Sequence, residues 1–418
     1  MPEPPTKVQR TNEEKDDYVF YEGFDAEKAP KRNYLGYDPQ PNGHPIMVDE
    51  GSVLFGFDEL EEFMVKAFIA AEVPEEDAKI CAEVLIDADK HGIDSHGAGR
   101  LKLIYLDRIA NGTQNPETNF DIVKQTAITA VVDGHNGMGH VISKKACDMA
   151  IEMAKEHGLG MVAVRNSTHF GNCGYYARRM TEAGLIGMVN TNARPSIPPT
   201  HSTEPMVGTN PLVFCVPTDE PFPWINDYGT AIYQRGMLEK FSRSDKKTPA
   251  GAVIGLDGEY RTDTKGILKD LKQGKAACLA VGGFGELLGG YKGFGFAMVT
   301  EFMSTVLQNG NHMRTLRGFD KEGNPQPIEL GHCFLCVNPE MFDGLDVCRA
   351  KAGQIIRELR AARKAPGCTR IFTHGEKEYL AKLERGEAGG TLVPPGLQAV
   401  LNQVRERYEI EYTFPWDE

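Results

Sequence analysis

Residues 161–176 read MVAVRNSTHFGNCGYY, and this stretch decides how the rest of the chain is interpreted. The apolar run Met161–Arg165 predicts a buried strand. Polar residues and glycines follow it, and a helix opens at Gly174. Proteins of the α/β class usually bind ligands at such a place, where a strand ends and a helix begins. His169 lies in this loop and is a candidate general acid or base, although a loop histidine bonded only to backbone is an equal alternative.

The same alternation extends in both directions along the chain. The apolar runs predict strands at Ile128–Val132, Ile186–Asn190, Leu212–Val216, Pro223–Ile225 and 333–337. The spacing of apolar residues predicts helices at 58–71, Glu75–Lys90, Ser143–His157, Tyr175–Ala183, Thr230–Ser244, 296–308, 345–363, 376–385 and 396–408. A further helix is expected after Asp94 or Ser95, either of which is a suitable N-cap.

This order of elements indicates an α/β or an α+β body, and we take it as α/β with a mixed central sheet. The helical segments from both chain ends, residues 53–135 and 291–418, are expected to pack together as one domain. The mixed α/β segment 136–290 is expected to form the other. Residues 1–52 are rich in proline and charge, and we interpret them as an N-terminal arm that wraps the domain or a partner subunit rather than as partly disordered chain.

Composition narrows the class of function. The chain has 418 residues and a formal net charge of −13, which argues against a nucleic-acid binder because phosphate contacts need clustered lysine and arginine. No apolar run approaches the roughly 20 residues that span a bilayer, and the N-terminus lacks the regions of a signal peptide. The nine cysteines are scattered and odd in number, which is typical of reduced thiols. We therefore expect a cytoplasmic protein with a small ligand, no membrane association and no metal site; Cys333 and Cys336 read as part of a buried strand.

The segment 94–100, Asp-Ser-His-Gly-Ala-Gly-Arg, could carry chemistry. If a helix starts at Ser95, His96 and Arg100 lie four residues apart on one face of its first turn. A guanidinium that grips a carboxylate and an imidazole that exchanges a proton with the C2 oxygen would suit a 2-keto or 2-hydroxy acid. On spacing alone, a capping histidine beside a solvated arginine is the better interpretation.

Three further segments are candidates for ligand contact. They are 208–211 (Gly-Thr-Asn-Pro), 227–230 (Asp-Tyr-Gly-Thr) and the glycine-rich stretch 282–295, which contains Lys292. A tight turn, a helix cap and a flexible hinge are the respective alternatives. The dinucleotide fingerprint GxGxxG and the P-loop GxxxxGK[ST] are both absent from the sequence, so neither a Rossmann nor a P-loop fold is supported.

Taken together and in order, these segments resemble the malate/L-lactate dehydrogenase family that does not use a Rossmann fold. The resemblance runs from about Phe57 to Arg407. Further carriers are Val337-Asn338-Pro339, Pro366-Gly367 and His374-Gly375-Glu376. It implies the family's own α/β fold, an oxidoreductase that uses NAD or NADP on a small 2-hydroxy or 2-keto carboxylate, and a homodimer with the cofactor near the subunit interface.

The resemblance also implies roles for individual residues. His96 and His169 are the proton-transfer candidates, with His96 preferred because Arg100 is one turn away, and Arg100 holds the substrate carboxylate. The mixed segment 136–290 becomes the cofactor-binding domain. The residues implied along the cofactor are Ala193, Asp227, Tyr228, Gly229, Lys292, Gly375 and Glu376.

Two departures from the family pattern leave alternatives open. Thr200-His201-Ser202 stands where the family has an apolar residue and two glycines, and Met237 stands where it has lysine. The first change is expected to alter the pocket, and the second to alter cofactor contacts. A reductase of C=N bonds in cyclic or N-substituted amino acids, and a non-catalytic binding homologue, remain alternative functions.

Overall fold

The computed structural model describes residues 50–243, 245–365, 368 and 370–417. Residues 1–49 of the predicted arm and Pro366-Gly367 therefore lie outside the described residues. The helices are α1 (Phe57–Ala70), α2 (Glu75–Lys90), α3 (Asp107–Ala110), α4 (Gly139–His157), α5 (Cys173–Glu182), α6 (Arg235–Arg243), α7 (Thr264–Gln273), α8 (Gly290–Met303), α9 (Leu345–Arg360), α10 (Glu376–Ala388) and α11 (Pro395–Arg407). The strands are β1 (Val53–Gly56), β2 (Asp121–Gln125), β3 (Thr129–Asp133), β4 (Leu159–Ser167), β5 (Ile186–Thr191), β6 (Leu212–Val216), β7 (Trp224–Tyr228), β8 (Val253–Gly255), β9 (Ala276–Cys278), β10 (Leu330–Val337) and β11 (Gly390–Val393).

A seven-stranded mixed sheet forms the centre of the fold, in the order β2-β3-β4-β10-β5-β6-β7. Strands β3 and β4 run parallel, and the other neighbouring pairs of this sheet are antiparallel. The predicted mixed α/β fold class is confirmed. Strand β10 is the middle strand, with Phe334 opposite Val162 on one side and Val189 on the other. The sheet therefore takes its middle strand from residues 291–418, outside the segment 136–290.

Helices α4 and α5 cover one face of this sheet. The buried side chains of Ile142, Ala146 and Met180 on the helices pack in one cluster with Val162 and Phe334 on the strands. Val162 and Val164 of β4 are fully buried in this cluster, and because successive side chains of a strand point to opposite faces, both lie on the face that the helices cover.

The two ends of the described chain meet in a second, mainly helical cluster. Strand β1 pairs antiparallel with β11, so that Val53 lies opposite Val393. Phe63 of α1, Leu85 of α2 and Leu401 of α11 are fully buried in the same cluster. The apolar stripe that predicted α2 over Glu75–Lys90 faces this cluster, and the helix has those bounds in the structure.

A third cluster joins α6, α7 and α8 with the two-stranded sheet β8–β9. Helix α6 was predicted from Thr230 but begins at Arg235, because the backbone at 230–231 instead bonds to Thr209 and bridges Ala280. Helix α7 and strands β8 and β9 had no counterpart in the sequence prediction. No helix in the described part of the chain is long and apolar enough to cross a membrane.

Candidate active site

The ends of β4 and β5 open onto a large cleft with a volume of about 1880 Å³. Its walls include residues 169–174, which join β4 to α5, and residues 191–196, which follow β5. The sequence-predicted site residues that line it are His96, Arg100, His169, Ala193, Asp227, Tyr228, Gly229 and Gly375. The structure thus brings eight of the ten predicted site residues to one cavity, although they come from segments far apart in the chain.

Tyr105 forms a hydrogen bond with the His169 ring at Nδ1. The Tyr105 hydroxyl lies 2.6 Å from Nδ1 of His169, and the Gly171 backbone N–H donates to the same nitrogen at 3.3 Å. Because a backbone N–H can only donate, Nδ1 is an acceptor, and Tyr105 also donates to it. The ring hydrogen of neutral His169 therefore resides on Nε2, the nitrogen left for the cleft.

The loop that carries His169 is fixed by the middle strand of the sheet. The buried ring of His332 on β10 bonds to the Thr191 and Ser167 hydroxyls at 2.7 and 2.8 Å. The same ring stacks on Phe170, the neighbour of His169, with centroids 4.4 Å apart and planes at 8°. Burial lowers the pKa of His332 to about 3, so the ring is neutral and serves as a rigid support.

His96 lies in a turn and not on a helix. The predicted helix start at Ser95 is wrong: helical structure begins at Ala98 as a 3₁₀ turn and continues through a π-helical turn, Leu101–Leu106, into α3. The reason is that the cap comes from another element, since the carboxylate of Asp89 on α2 accepts the Ala98 N–H at 2.8 Å. Asp94, the predicted cap, instead pairs with Lys240 and Arg385.

His96 nevertheless reaches His169. Their ring centroids lie 6.0 Å apart with planes at 17°, and both rings line the cleft. Nδ1 of His96 is 2.8 Å from the Ser95 hydroxyl. The two candidate histidines are therefore adjacent, although the helical spacing used to relate His96 to Arg100 does not exist.

Both imidazoles are neutral near pH 7. Burial, with the Arg100 charge, lowers the pKa of His96 to about 3. Burial, with the positive charges of its neighbours, among them Arg108 and Arg100, lowers the pKa of His169 well below its usual value. A bound anion would offset this positive field and raise both pKa values towards the range useful for proton transfer.

Arg100 is only partly available to a ligand. Its guanidinium forms an ion pair with Glu239 on α6 and donates from Nε to the Ser95 carbonyl. A Cβ on Gly236 would lie 1.8 Å from Nη2 of Arg100, so a glycine is required for the two segments to pack this closely. Glu239 also pairs with Arg235, and this one carboxylate therefore serves two arginines.

Arg108 and Arg194 also line the cleft and were not singled out in the sequence. Burial, together with neighbouring guanidinium groups, lowers the pKa of Arg108 to about 10 and that of Arg194 to about 9. Both remain charged at neutral pH. Arg108 follows Tyr105 by three residues, which would put both on one side of a helix, whereas no local pattern identifies Arg194 or Glu239.

Asp227 and Gly375 line a different part of the cleft. The Asp227 carboxylate accepts the Gly174 N–H at 2.7 Å, near the start of α5. Gly375 has φ +87°, and a Cβ there would lie 2.6 Å from the Pro223 carbonyl, so the turn before α10 approaches β7 through this glycine. Glu376 is buried and does not line the cleft, since its carboxylate accepts from the Thr373 N–H and hydroxyl and pairs with Arg370.

Lys292 and the two departures from the family pattern also lie off the cleft lining. Lys292 is exposed on the first turn of α8. His201 lies on an exposed turn near Glu286, and Thr200-His201-Ser202 are not among the described residues that line the cleft; their effect on the pocket stays a prediction. Met237 packs against the third hydrophobic cluster.

Comparison with known proteins agrees with the geometry of the site. A family model described as malate/L-lactate dehydrogenase matches residues 55–401. The malate dehydrogenase of Pyrococcus horikoshii is 35% identical over 364 residues, which cover 87% of this chain and 98% of that protein. The L-sulfolactate dehydrogenase of Methanocaldococcus jannaschii is 34% identical over 316 residues, covering 75% and 86%.

A similar fold occurs in a solved structure, which this chain matches over the whole length of the solved chain. The crystal structure of malate dehydrogenase from Entamoeba histolytica superposes with a TM-score of 0.83 at 36% sequence identity. The match covers 87% of this chain and 100% of that one.

Proposed function

The chain belongs to the malate/L-lactate dehydrogenase family, and on that premise we propose that this 2-hydroxyacid dehydrogenase transfers a hydride between NAD or NADP and C2 of a small 2-hydroxy or 2-keto acid. The observation that carries the proposal is the pair of neutral histidines, His96 and His169, with ring centroids 6.0 Å apart beside arginines in one cleft. A carboxylate substrate needs fixed positive charge, and its C2 oxygen needs a proton donor or acceptor.

The cleft fits a nicotinamide cofactor together with a small acid. Its volume of about 1880 Å³ exceeds the range of roughly 300–1,000 Å³ typical of sites for single small ligands. Ala193, Asp227, Tyr228, Gly229 and Gly375 are the proposed cofactor contacts, and glycines there let a ligand approach the backbone closely. When bound, the cofactor supplies or accepts the hydride.

The two histidines have different proposed roles. Tyr105 and Gly171 leave the hydrogen of His169 on Nε2, so this ring donates a hydrogen bond to the C2 oxygen and stabilises charge that develops on it. His96 carries no such restriction at Nδ1, whose partner is a hydroxyl that can donate or accept. His96 therefore exchanges the proton.

Arg100 is the proposed contact for the C1 carboxylate, through Nη2. Among the described residues Nη2 has no hydrogen-bond acceptor, whereas Nε donates to Ser95 and Nη1 to Glu239. The pair with Glu239 also fixes the orientation of the guanidinium before a substrate arrives, which reduces the entropy lost on binding.

Malate and sulfolactate, the substrates in the names of the relatives, are the first compounds to test. A cytoplasmic location is proposed as well, because the described cysteines are all free thiols and seven of the nine are buried. The alternative reaction is reduction of the C=N bond of an imino acid, whose carboxylate Arg100 would bind in the same way.

A homodimer is proposed from the surface of α8. Val299 and Phe302 on this helix are about half exposed, and Val306 and Leu307 extend the apolar surface beyond it. Apolar surface of this kind on one helix marks a contact with another protein. Lys292 is exposed on the same helix. We therefore propose that it contacts the cofactor bound by the other subunit, across the dimer interface.

The test is turnover by the purified full chain. NADH and NADPH are each incubated with oxaloacetate, pyruvate and 2-oxoglutarate, and loss of absorbance of the reduced nicotinamide is followed. We expect turnover of at least one 2-keto acid. No turnover with any of them, with either cofactor, would contradict the proposed function.

A further inference from the structure

We propose that Asp89 is a positioning residue for His96: its carboxylate accepts the Ala98 N–H and thereby sets the turn that presents the imidazole to the cleft. Asp89 is buried on α2 and does not line the cavity, so it acts through the turn and not on a ligand. This inference rests on the proposed function, because the turn affects the reaction only through His96 and Arg100.

The turn carries both residues that are proposed to meet the substrate. His96 and Arg100 each stand two residues from Ala98, one before it and one after it. The hydrogen bond from the Ala98 N–H to Oδ2 of Asp89 is 2.8 Å long and joins this point of the turn to α2. A displacement of Ala98 would therefore move the imidazole and the guanidinium together, and small changes in the placement of reacting groups are costly to the rate.

Gly97 shows how closely the turn and the carboxylate pack. A Cβ on Gly97 would lie 2.0 Å from Oδ1 of Asp89, so only glycine lets the backbone come this near. The His96 N–H donates to the Ile93 carbonyl at 2.8 Å. The Arg100 N–H donates to the Gly97 carbonyl at 2.9 Å. These two bonds are internal to the turn, whereas the Asp89 carboxylate connects its far end to α2.

The charge of Asp89 depends on its surroundings. In the described part of the chain no cation forms an ion pair with it, because Lys240 of α6 and Arg385 of α10 pair with Asp94 instead. Burial raises the pKa of Asp89 to about 7 and the Asp94 charge adds to this rise, while the Ala98 N–H and the two cations oppose it only in part. Asp89 therefore gains or loses its proton in the neutral range of pH.

Protonation of Asp89 weakens its hold on the turn. The ionised carboxylate accepts the Ala98 N–H in a charge-assisted bond at the start of a helical segment, where negative charge is favourable. The protonated group is a neutral acceptor and adds a buried O–H donor that needs its own partner. The advantage that Asp89 gives to the reaction should therefore be lost as the pH falls through about 7.

Other groups at the site also titrate, and the experiment has to separate them from Asp89. Reduction of a 2-keto acid consumes a proton, which gives the rate a pH dependence of its own through His96. Burial raises the pKa of Asp227, on the cleft wall, to about 6. Both effects are shared by wild type and an Asp89 variant, so they cancel in the ratio of the two rates.

The experiment measures kcat/KM for oxaloacetate, with saturating NADH, from about pH 6 to about pH 8.5 in wild type and in Asp89→Asn. Asparagine keeps the shape of the side chain and removes its charge. At the alkaline end the variant should be slower by roughly 2- to 30-fold, the range that corresponds to the loss of one helix cap. The ratio of wild type to variant should fall towards one at acid pH, with a midpoint near pH 7.

Asp417→Asn is the matched control. The Asp417 carboxylate also accepts a backbone N–H, from Phe414 at 2.7 Å, but Asp417 does not line the cleft and lies near the end of the chain. The ratio of wild type to this variant should stay near one at every pH. A ratio for Asp89→Asn that stays near one, or that is independent of pH, overturns the inference.

The amide resonance of Ala98 gives a readout that does not need turnover. In ¹⁵N-labelled wild type its proton shift should titrate with a midpoint near pH 7, and in Asp89→Asn this titration should be absent. Lys240→Gln should move the midpoint to higher pH, because it removes one of the cations that favour the ionised form. A purely structural role of Asp89 predicts no such shift.

These titrations also decide the question if Asp89→Asn does not fold, since they use wild type and Lys240→Gln. An Ala98 resonance that does not titrate in wild type overturns the inference while the dehydrogenase activity stands. Titration of Ala98 as expected, without turnover of any 2-keto acid, supports the inference about the turn and contradicts the proposed function instead.

Discussion

The hydroxyl of Tyr105 lies 2.6 Å from Nδ1 of His169, and the Tyr105 ring is fully buried behind the cleft wall. This contact fixes the tautomer of a histidine that faces the substrate. Tyr105 is thus a positioning residue, since it acts on the chemistry through His169 and does not itself line the cleft.

Tyr105→Phe should lower kcat about tenfold with little change in KM, because Nδ1 of His169 loses the shorter of its two hydrogen bonds, and the longer one from the Gly171 N–H holds the ring hydrogen on Nε2 less firmly. Nitrogen NMR of histidine-labelled protein should find hydrogen on Nε2 of His169 in wild type and a mixture in the variant. Tyr175→Phe is the control, as Tyr175 also loses one hydrogen bond, to Glu83, without touching His169. A wild-type His169 with hydrogen on Nδ1 would show that this assignment is wrong.

His96→Ala should reduce kcat by roughly 10²–10⁴-fold, because it removes the group that exchanges the proton with the C2 oxygen. Cofactor affinity, followed by quenching of protein fluorescence, should change much less. The loss should be greater than in His169→Ala, which removes a hydrogen-bond donor. An unchanged rate in His96→Ala would transfer the proton-exchange role to His169.

Gly236→Ala should raise KM for a 2-keto acid about tenfold or more. The new Cβ would lie 1.8 Å from Nη2 of Arg100 and 3.1 Å from the Ser95 carbonyl, so the guanidinium must leave its pair with Glu239. Gly386→Ala in α10 is the matched control, because its Cβ meets no atom within 4 Å, and it should only stabilise the helix, by about 0.5–1 kcal/mol. A normal KM in Gly236→Ala would mean that Arg100 does not hold the carboxylate.

His140 should make the fold sensitive to acid. Its ring is fully buried against Tyr105, both ring nitrogens lack a hydrogen-bond partner among the described residues, and burial lowers its pKa to about 3. Because this folded-state pKa lies below the unfolded value of about 6.5, the unfolded chain gains a proton first and stability falls as the pH drops below about 6.5.

In His140→Leu, the loss of unfolding free energy between pH 7 and pH 5 should be smaller than in wild type by about 2 kcal/mol. Urea unfolding followed by circular dichroism at the two pH values measures this difference. The same pH dependence in both proteins would show that His140 is not buried in its neutral form.

The sequence predicts elements whose signal is local. The apolar stripe of α2 and the apolar run of β4 each lie within one segment, and both were identified. The place of β10 between β4 and β5 was not, because strand pairing depends on residues more than 140 positions away along the chain. Helix α7 was missed although Ile267, Leu268 and Leu271 stand at helical spacing, because a helix of ten residues gives too short an apolar stripe to be distinguished from a polar surface loop.

The site residues likewise divide into those with a local signal in the sequence and those without one. His96, Arg100 and His169 stand out in short motifs, and the structure brings them to one cleft. The partner of Arg100 is Glu239, 139 residues later, and no motif relates the two. Tyr105 lies in the segment where a helix was expected after Asp94 or Ser95, and its apolar neighbours give the same periodicity whether or not its hydroxyl meets a histidine.

The central claim is that a hydride moves between the nicotinamide ring and C2 of a 2-hydroxy acid beside His96 and His169. The most direct measurement uses reduced cofactor deuterated at the transferable C4 position, with oxaloacetate and pyruvate as substrates, and proton and deuterium NMR of the product. The account predicts deuterium at C2 of the hydroxy acid in wild type and almost none formed in His96→Ala. Reduced cofactor that keeps its label, or a product without deuterium at C2, would contradict it.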